Sequence, residues 1–370
     1  MISTTMTDYF SLTKPRVVIL LQITALCAVV VHDSLEGGLS VASAETMLVV
    51  LIGGYLTAGG ANAINMWYDR DIDPMMRRTE NRAIPMGKVS AESALFFGIS
   101  IASLGVAWFY FMSNEVAAFW SAFSILFYVL IYSMWLKRST PQNIVIGGIA
   151  GSTPPVIGWA ASVEDLSISS NSIEASIESL FDLGSPMPWF MFILIFLWTP
   201  PHFWALALYK SKEYADVGVP MLPNVKGPER TIIEMKVYSI LLILLSFFAP
   251  LSFGEIEVNG REYNVLSWTI LGLSIWYAST VWRIDVAEIP DETGRITSAA
   301  NSFFVSMLYL ALMFVVLVTG SFGQVGTGSG AIVCLALIGR TEFKLRSKPP
   351  MASNTDCTIA LRRKAGWGNG

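Results

Sequence analysis

About nine long apolar segments constrain the fold of this 370-residue chain more than any other feature of its sequence. As helices rising about 1.5 Å per residue, they are long enough to cross most or all of the roughly 30 Å hydrocarbon core of a bilayer. Charged residues make up only 14% of the chain, whereas about a quarter of an ordinary soluble domain is charged. The sequence therefore predicts an all-α, polytopic membrane protein. The segments lie at 17–31, 47–66, 93–112, 116–136, 143–162, 188–208, 237–254, 264–282 and 301–319.

The distribution of Lys and Arg among the connections predicts the orientation of the chain. The connections without Lys or Arg are 32–46, 113–115 and 163–187, and the basic ones are 67–92, 137–142 and 209–236. Because positive residues accumulate on the cytoplasmic side of membrane proteins, the N-terminus and the basic connections are predicted to be cytoplasmic, in a multi-pass protein of the cell membrane. The Ser-rich, acidic connection 163–187 is predicted to be extracytoplasmic, with little regular structure and no catalytic role.

Three polar residues at the end of the second apolar segment have helical spacing: Asn65, Asp69 and Asp73. In an α-helix a step of four residues turns the side chain by only about 40°, so this spacing predicts that all three line one face. Carboxylates at membrane depth are costly unless they face a cation or a water-filled cavity, which makes them candidates for a functional site. We therefore predict that Asn65, Asp69 and Asp73 are catalytic and that the two carboxylates bind a metal ion.

Basic residues follow this motif at once and recur in a second connection on the same predicted side of the membrane. Arginine binds phosphate oxygens in a bidentate fork, and Mg²⁺ is usually held by one or two carboxylates together with substrate phosphates. Adjacent acidic and basic residues thus predict a diphosphate held through Mg²⁺. The alternative interpretation is a solvated connection whose charge only sets the topology. The residues predicted here to bind diphosphate are Arg70, Arg77, Arg78, Arg82, Lys137 and Arg138. For Lys137 and Arg138 a second interpretation stays open, the binding of propionate carboxylates.

A second polar cluster follows the sixth apolar segment. Lys210 and Lys212 are predicted to contact diphosphate oxygens, and Glu213 is predicted to bind a second Mg²⁺ or to position the lysines. His202 lies inside the apolar segment, where an imidazole is unusual. Two interpretations of His202 stay open: it contacts a large planar cofactor, or it is a buried histidine whose hydrogen bond is satisfied by a neighbouring carbonyl.

The chain resembles the UbiA-type intramembrane prenyltransferases, whose first motif, Asn-x-x-x-Asp-x-x-x-Asp, is matched by Asn65, Asp69 and Asp73. More narrowly, it resembles the haem-farnesylating branch of that family, and the matching blocks run in family order as far as about residue 319. These blocks are Asn-Met-Trp-Tyr-Asp-Arg-Asp-Ile-Asp (65–73), Thr-Pro-Gln-Asn-Ile-Val-Ile-Gly-Gly (140–148), Pro-Pro-Val-Ile-Gly-Trp (154–159), Thr-Pro-Pro-His-Phe-Trp-Ala-Leu-Ala (199–207) and Gly-Val-Pro-Met-Leu-Pro (218–223).

This resemblance implies a fold of nine helices around a central cavity, with the aspartate motifs at its cytoplasmic mouth. It also implies the reaction: Mg²⁺ and basic residues draw diphosphate away from farnesyl diphosphate, the allylic cation alkylates a vinyl group of haem b, and water captures the cation that results. His202 is then a candidate haem contact. The product serves haem-copper terminal oxidases, so an oxidase-assembly protein is a further candidate partner beside the lipid bilayer.

The resemblance ends at about residue 319, which divides the chain into a membrane domain at 1–319 and an atypical extension at 320–370. Within the extension the apolar stretch 331–339 is too short to predict a crossing by itself, and several basic residues follow it. Nine crossings would place this basic tail outside the cell, against the charge rule. Either a short tenth segment returns the tail or the tail is atypical, and the sequence leaves both open.

Other functions are compatible with the same residues. A prenyltransferase for a quinone precursor or another aromatic acceptor would use a similar diphosphate site, although quinone-type members carry Asp-x-x-x-Asp where this chain has Lys210, Lys212 and Glu213. A membrane transporter also places carboxylates near a cavity, but here the charges cluster at one mouth and no inverted repeat is visible. The sequence has no basic patch of the kind that binds nucleic acid.

Overall fold

The computed structural model describes residues 5–76, 79–209, 218–249, 253, 260–285, 287–288 and 296–347. Within these ranges the regular structure is helical, without β-strands. The α-helices are α1 (Met6–Leu12), α2 (Pro15–Leu35), α3 (Val41–Tyr68), α4 (Ala91–Met112), α5 (Glu115–Leu126), α6 (Lys137–Ser139), α7 (Asn143–Ser152), α8 (Pro154–Ser162), α9 (Ile173–Phe181), α10 (Met187–Tyr209), α11 (Leu222–Ser246), α12 (Gly260–Trp282), α13 (Thr297–Gly320) and α14 (Gly323–Arg346). A π-helix, Phe127–Leu136, joins α5 to α6.

Eight helical segments within the described residues are long and apolar enough to cross a membrane. They coincide with eight of the predicted crossings, so the prediction of an all-α, polytopic membrane fold is confirmed. They are Pro15–Leu35, Val41–Asp71, Ala91–Met112, Glu115–Ser139, Asn143–Ser162, Met187–Tyr209, Val265–Trp282 and Thr297–Gly320. The remaining predicted crossing, 237–254, falls on the second half of α11 and extends beyond it into residues that are partly outside the described ranges.

Small residues let neighbouring helices approach closely. A Cβ atom on Gly60 of α3 would lie 2.6 Å from the backbone nitrogen of Ala102 in α4, and one on Gly158 of α8 would lie 2.3 Å from the carbonyl oxygen of Ala25 in α2. Both separations are too short for real carbon atoms, so only glycine fits at these crossings. Membrane helices associate largely through such close packing, because lipid supplies no hydrophobic force between them. The packing fixes α3, whose last turn carries the polar motif.

The connection 163–187 is more ordered than its composition predicts, and the prediction of little regular structure is wrong. It contains α9, which begins after Ser172, a residue whose hydroxyl accepts a hydrogen bond from the backbone N–H of Ala175. Three tryptophans on neighbouring helices donate indole N–H hydrogen bonds to the backbone of this segment. Trp120 donates to the carbonyl of Leu180, Trp159 to that of Leu183, and Trp189 to that of Phe181. Two of these donors lie far from α9 in sequence, which is why the local composition does not reveal the order.

Helix α14 lies against α12 and α13 and runs back along the bundle from the turn after Gly320. Its 24 residues correspond to roughly 36 Å of helix, about the thickness of a hydrocarbon core. Near its end, Glu342 accepts hydrogen bonds from the guanidinium of Arg283 at 2.8 Å and from the indole of Trp276 at 2.9 Å. The apolar stretch 331–339 is therefore the middle of a longer helix that returns the chain to the end of α12.

Candidate active site

The Asn65–Asp73 motif lies where α3 changes from α-helix to tighter turns. Helix α3 ends at Tyr68, and two 3₁₀ turns follow at Asp69–Asp71 and Asp73–Met75. Pro74 disfavours α-helical geometry at Asp73, because a proline restricts the residue before it and has no N–H to donate. The prediction of one α-helical face for all three polar residues is therefore wrong beyond Asp69, and Asp73 reaches the site on a turn of its own.

All three residues of the motif are nevertheless buried: Asn65 is 4%, Asp69 1% and Asp73 2% exposed. The two carboxylates face cations. Asp69 Oδ2 forms an ion pair with Lys137, and a single guanidinium nitrogen of Arg82 lies 2.8 and 2.7 Å from the two carboxylate oxygens of Asp73. Removal of one partner from a buried pair of this kind leaves an uncompensated charge and is strongly unfavourable. The predicted acidic and basic residues therefore do meet in one place.

Asn65 is the centre of the hydrogen-bond network. Its Nδ2 donates to Asp69 Oδ2 and to the hydroxyl of Ser133, both at 3.0 Å, and its Oδ1 accepts from the ammonium of Lys14 at 2.8 Å. Every polar atom of the amide is thus engaged, and the orientation of the side chain is fixed from three sides. The amide connects a lysine before α2 to a carboxylate after α3.

Lys14 belongs to the site although sequence reasoning did not assign it a role. It precedes Pro15, the first residue of α2, and adopts a left-handed backbone conformation with φ of 51°. Burial, followed by the positive charges of Arg82 and Lys137, lowers the pKa of Lys14 from 10.5 to about 7. A lysine at the start of a membrane span is ordinarily explained by topology, so only the fold reveals that it contacts the motif.

The π-helix is part of the span Glu115–Ser139 and brings the basic end of that span to the motif. Its backbone is wider than an α-helix, and the Ser133 hydroxyl donates to the carbonyl of Tyr128, five residues earlier, at 2.8 Å. The same hydroxyl accepts from Asn65, and Tyr68 donates to the carbonyl of Met134 at 3.0 Å. Such π segments are rare and are frequent at functional sites. The next residue after the π-helix is Lys137, the partner of Asp69.

The remaining predicted basic residues occupy different positions. Arg138 binds Asp71 through two hydrogen bonds of 2.6 and 2.7 Å, and its nearer nitrogen lies 3.6 Å from Asp69 Oδ1. Arg70 is exposed and packs over the ring of Trp67, 4.9 Å from its centroid, on the outer side of the turn. Five predicted residues lie outside the described ranges: Arg77, Arg78, Lys210, Lys212 and Glu213.

The connection that carries Lys210, Lys212 and Glu213 rejoins the described chain beside the first motif. Val219 and Met221 form a buried apolar cluster that includes Ile72 and Met76 from the turns after α3. The two polar connections therefore meet at the same end of the bundle, as their shared predicted side of the membrane requires.

His202 lies between two aromatic rings on α10 and α13. The rings of Trp198 and Phe303 stack on it with centroid distances of 4.2 and 4.7 Å, and its Nδ1 lies 2.6 Å from the hydroxyl of Ser306. Both faces of the imidazole are therefore covered, and Nε2 is the ring atom left to meet a ligand. The group that satisfies Nδ1 is a serine hydroxyl rather than the carbonyl considered from the sequence.

Comparison with known proteins decides the family. A model of the UbiA prenyltransferase family matches residues 23–293, a range that contains the motif and its cationic partner Lys137. The chain belongs to the UbiA prenyltransferase family. The resemblance drawn from the sequence blocks is thereby confirmed.

Relatives within this family are similar over most of their length. Protoheme IX farnesyltransferase of Bartonella tribocorum is 42% identical over 312 residues, which cover 83% of this chain and 88% of that protein. The protein of the same name from Ruegeria pomeroyi is 40% identical over 308 residues, which cover 83% of this chain and 87% of that protein. The similarity to each of these relatives thus extends over about four-fifths of this chain.

Solved structures of the UbiA family share the fold. A digeranylgeranylglyceryl phosphate synthase has a TM-score of 0.63 at 15% identity, covering 85% of this chain and 98% of that chain. A UbiA homologue from Archaeoglobus fulgidus, bound to DMAPP and Mg²⁺, has a TM-score of 0.55 at 18% identity, covering 84% of this chain and 99% of that chain. At these identities the likeness establishes the helical architecture.

The residues of this UbiA-family site fit a magnesium ion that also contacts a substrate. Among the described residues no cluster of three or more His, Cys, Asp or Glu is present, so a cage made by the protein alone is not built there. Asp69 Oδ1 is buried and has no hydrogen-bond partner in the described chain. One or two carboxylates, with substrate phosphates and waters completing the shell, are the usual ligands of Mg²⁺. Asp69 fits this role through Oδ1, whereas both oxygens of Asp73 accept from Arg82 and would have to exchange that partner for a metal ion.

Proposed function

We propose that this chain transfers the farnesyl group of farnesyl diphosphate to a vinyl group of haem b, with addition of water, to give haem O and diphosphate. The observation that carries the proposal is the buried Asp69 carboxylate, which faces Lys137 and keeps one oxygen without a hydrogen bond in the described chain. The choice of acceptor and donor is supported by relatives named protoheme IX farnesyltransferase at about 40% identity.

The chemistry begins with departure of diphosphate. The bond between C1 of the farnesyl group and the diphosphate oxygen breaks, and its electron pair leaves with the diphosphate. When bound by Asp69 and Asp73, Mg²⁺ would neutralise part of the negative charge that develops on the leaving group. Arg82 and Lys137, which pair with the two carboxylates, supply cations at the same place, and Lys14 lies beside them. Preorganised charges of this kind stabilise a transition state because they need no rearrangement as the bond breaks.

When no substrate is bound, two of the basic residues pair with the carboxylates of the motif. Lys137 and Arg82 neutralise the carboxylates of Asp69 and Asp73, which would otherwise repel one another and the diphosphate. If Asp69 and Asp73 held a metal ion, the ammonium of Lys137 and the guanidinium of Arg82 would be released from the carboxylates and would lie close enough to bind phosphate oxygens. Arg138 stands 3.6 Å from Asp69 and is placed to do the same.

The second half of the reaction forms the carbon–carbon bond. The vinyl group of haem b supplies two electrons to C1 of the allylic cation, and the positive charge moves to the vinyl carbon next to the pyrrole ring. Water adds to that carbon and releases a proton, which leaves a hydroxyethylfarnesyl side chain. His202 is proposed to contact the haem through Nε2, because Trp198 and Phe303 hold its ring flat and Ser306 occupies Nδ1.

The proposed setting is the cell membrane, with the active site facing the cytoplasm. Lys and Arg concentrate in the connections that carry the site, which supports this orientation. Residues 1–319 are proposed to form the enzyme domain and 320–370 an extension, whose helix α14 ends at the same side of the bundle as the site. Delivery of the product to haem-copper oxidases, with an assembly protein as partner, follows from the proposed product.

The proposal is tested with the purified chain in lipid vesicles, farnesyl diphosphate and a choice of acceptor. Haem b and 4-hydroxybenzoate are supplied in separate reactions, each with Mg²⁺ or with excess chelator. The products are separated by chromatography and identified by mass spectrometry. We expect a farnesylated, hydrated haem only with haem b and Mg²⁺. Prenylated 4-hydroxybenzoate instead would replace haem by a quinone-type acceptor, and uptake of labelled ions without prenyl transfer would favour a transporter.

A further inference from the structure

Helix α9 exposes a stripe of large apolar side chains at the end of the bundle opposite the candidate active site. The spans α7–α8 and α10 reach the site at Asn143 and Tyr209, so the connection between them lies at the other end. Ile173, Ile177 and Phe181 are 82%, 53% and 51% exposed. At four-residue spacing they follow one line along the helix.

Helix α9 has three faces of different character. At about 100° per residue, Leu180 and its neighbours point to one side, the apolar stripe points to a second, and Glu174 and Glu178 point to a third, beyond the stripe. Leu180 is 9% exposed and joins the main core, whereas both glutamates are exposed. A helix with these three faces fits a place where protein, an apolar phase and water meet.

The apolar stripe continues into the membrane-facing surface of the spans. The ring of Phe181 lies 5.4 Å from the rings of both Trp120 and Trp189. From Trp120 the aromatic contacts pass to Phe119, 5.6 Å away, which is itself 38% exposed on α5. An apolar groove then runs down α5 and the π-helix to Ile131. The stripe is therefore continuous with an exposed apolar surface of the span Glu115–Ser139.

We propose that α9 lies in the boundary between lipid headgroups and acyl chains, with Ile173, Ile177 and Phe181 against lipid and Glu174 and Glu178 in water. Amphipathic helices with a narrow apolar side lie in this way at the bilayer surface, and tryptophans concentrate at the same depth. The indoles of Trp120, Trp159 and Trp189, which bond the backbone of this segment, fix α9 to the bundle at that level. The connection 163–187 thus anchors the far end of the bundle to one leaflet.

The test compares two neighbouring positions on α9 in the full-length protein. The native cysteines Cys27, Cys334 and Cys357 are first replaced by alanine, and Ile177→Cys and Glu178→Cys variants are then labelled with a nitroxide. Each labelled protein is placed in phosphatidylcholine vesicles, and its collision rates with oxygen and with a water-soluble nickel chelate are measured. Ile173→Cys and Glu174→Cys form a second pair, used if either first variant fails to fold.

We expect the ratio of the collision rate with oxygen to the collision rate with the nickel chelate to be several-fold higher for the label at 177 than for the label at 178. Equal exposure of both labels to the nickel chelate would place the stripe in water and overturn the proposal. Protection of position 177 from both reagents would also overturn it, since that result means that a protein surface, such as a second copy of this chain, covers the stripe. Retained helicity and monodispersity of the labelled protein serve as the control for folding.

Discussion

Lys137 and Asp69 form an ion pair that joins the end of the π-helix to the end of α3. The same carboxylate oxygen accepts a hydrogen bond from Asn65, while the other oxygen of Asp69 has no such bond in the described chain. One oxygen of the carboxylate is therefore held by two hydrogen-bond donors, whereas the other is buried without a hydrogen bond from the described residues, 3.6 Å from the guanidinium of Arg138, and is the oxygen proposed to meet a metal ion. This asymmetry gives the site its proposed chemistry and sets the predictions that follow.

Asp69→Asn is expected to lower Mg²⁺-dependent turnover by about 100-fold or more, the size of effect seen when one charge-stabilising group is removed. The amide keeps the shape of the side chain but loses the charge that binds the metal ion and Lys137. Asp71→Asn is the matched control, because Asp71 is exposed and its pair with Arg138 lies at the surface, where ion pairs contribute little. Turnover of purified, folded Asp69→Asn near that of Asp71→Asn would remove the catalytic role.

Lys14→Met is expected to raise the KM for farnesyl diphosphate about tenfold, since a hydrogen bond to a charged group contributes about 1.5–3 kcal/mol. Lys14→Arg keeps the charge and is expected to restore most of the affinity. Steady-state kinetics with varied farnesyl diphosphate at saturating haem distinguish the two variants. An unchanged KM in Lys14→Met would mean that Lys14 only orients Asn65.

Ser133→Ala is expected to lower kcat by about two- to tenfold, because Asn65 loses a hydrogen bond of about 0.5–1.5 kcal/mol that fixes its amide. The dependence of rate on Mg²⁺ concentration is measured for each variant, and the loss should be greatest at low Mg²⁺. Ser139→Ala is the control: its hydroxyl also bonds a backbone carbonyl, that of Trp135, but lies on the exposed end of the same span. Equal effects of the two substitutions would contradict a role for Ser133 in the site.

His202→Ala is expected to raise the KM for haem b severalfold and to leave the KM for farnesyl diphosphate within about twofold. Trp198 and Phe303 cover the two faces of the imidazole, and Ser306 contacts Nδ1. Nε2 is therefore the ring atom proposed to contact haem. Ser306→Ala, which releases Nδ1 but keeps the ring, should give a smaller change of the same kind. If both substrates lose affinity equally, His202 is a packing residue.

Gly330→Leu is expected to destabilise the protein by about 1–3 kcal/mol through overpacking, without a change in KM for either substrate. A Cβ atom at Gly330 would lie 2.2 Å from the hydroxyl oxygen of Thr319, whereas one at Gly328 would meet no atom of the described chain within 4 Å. Gly328→Leu is therefore the control, and thermal unfolding in detergent is the measurement. Equal unfolding temperatures would mean that α14 does not pack on α13 as described.

The spans and the contact between Asn65 and Asp69 could be predicted because both are local properties of the sequence. Apolar runs report membrane helices directly, and the four-residue spacing of Asn65 and Asp69 places them in hydrogen-bond contact. The same spacing failed at Asp73, since the α-helix ends at Tyr68 and Asp73, which is followed by Pro74, lies on a separate 3₁₀ turn. A periodicity argument assumes a regular backbone, and a proline next to the last member of a motif removes that assumption.

The remaining parts of the structure depend on contacts between distant residues. Lys14 meets Asn65 across 51 positions of sequence, and the indole of Trp120 holds the carbonyl of Leu180 across 60. No local pattern reports either contact. The end of α14 likewise depends on Glu342, whose partner Arg283 directly follows the end of α12. Sequence reasoning found the residues that do the proposed chemistry but not those that hold them in position.

The most direct test of the central claim is mass spectrometry of the haems extracted from cells that lack their own haem O synthase. The cells express either this chain or its Asp69→Asn variant, with equal amounts of each confirmed in the membrane. We expect a haem that carries a hydroxyethylfarnesyl group from cells with the unaltered chain, and only haem b from cells with the variant. If the unaltered protein is folded in the membrane and both strains still contain only haem b, the proposed acceptor is contradicted.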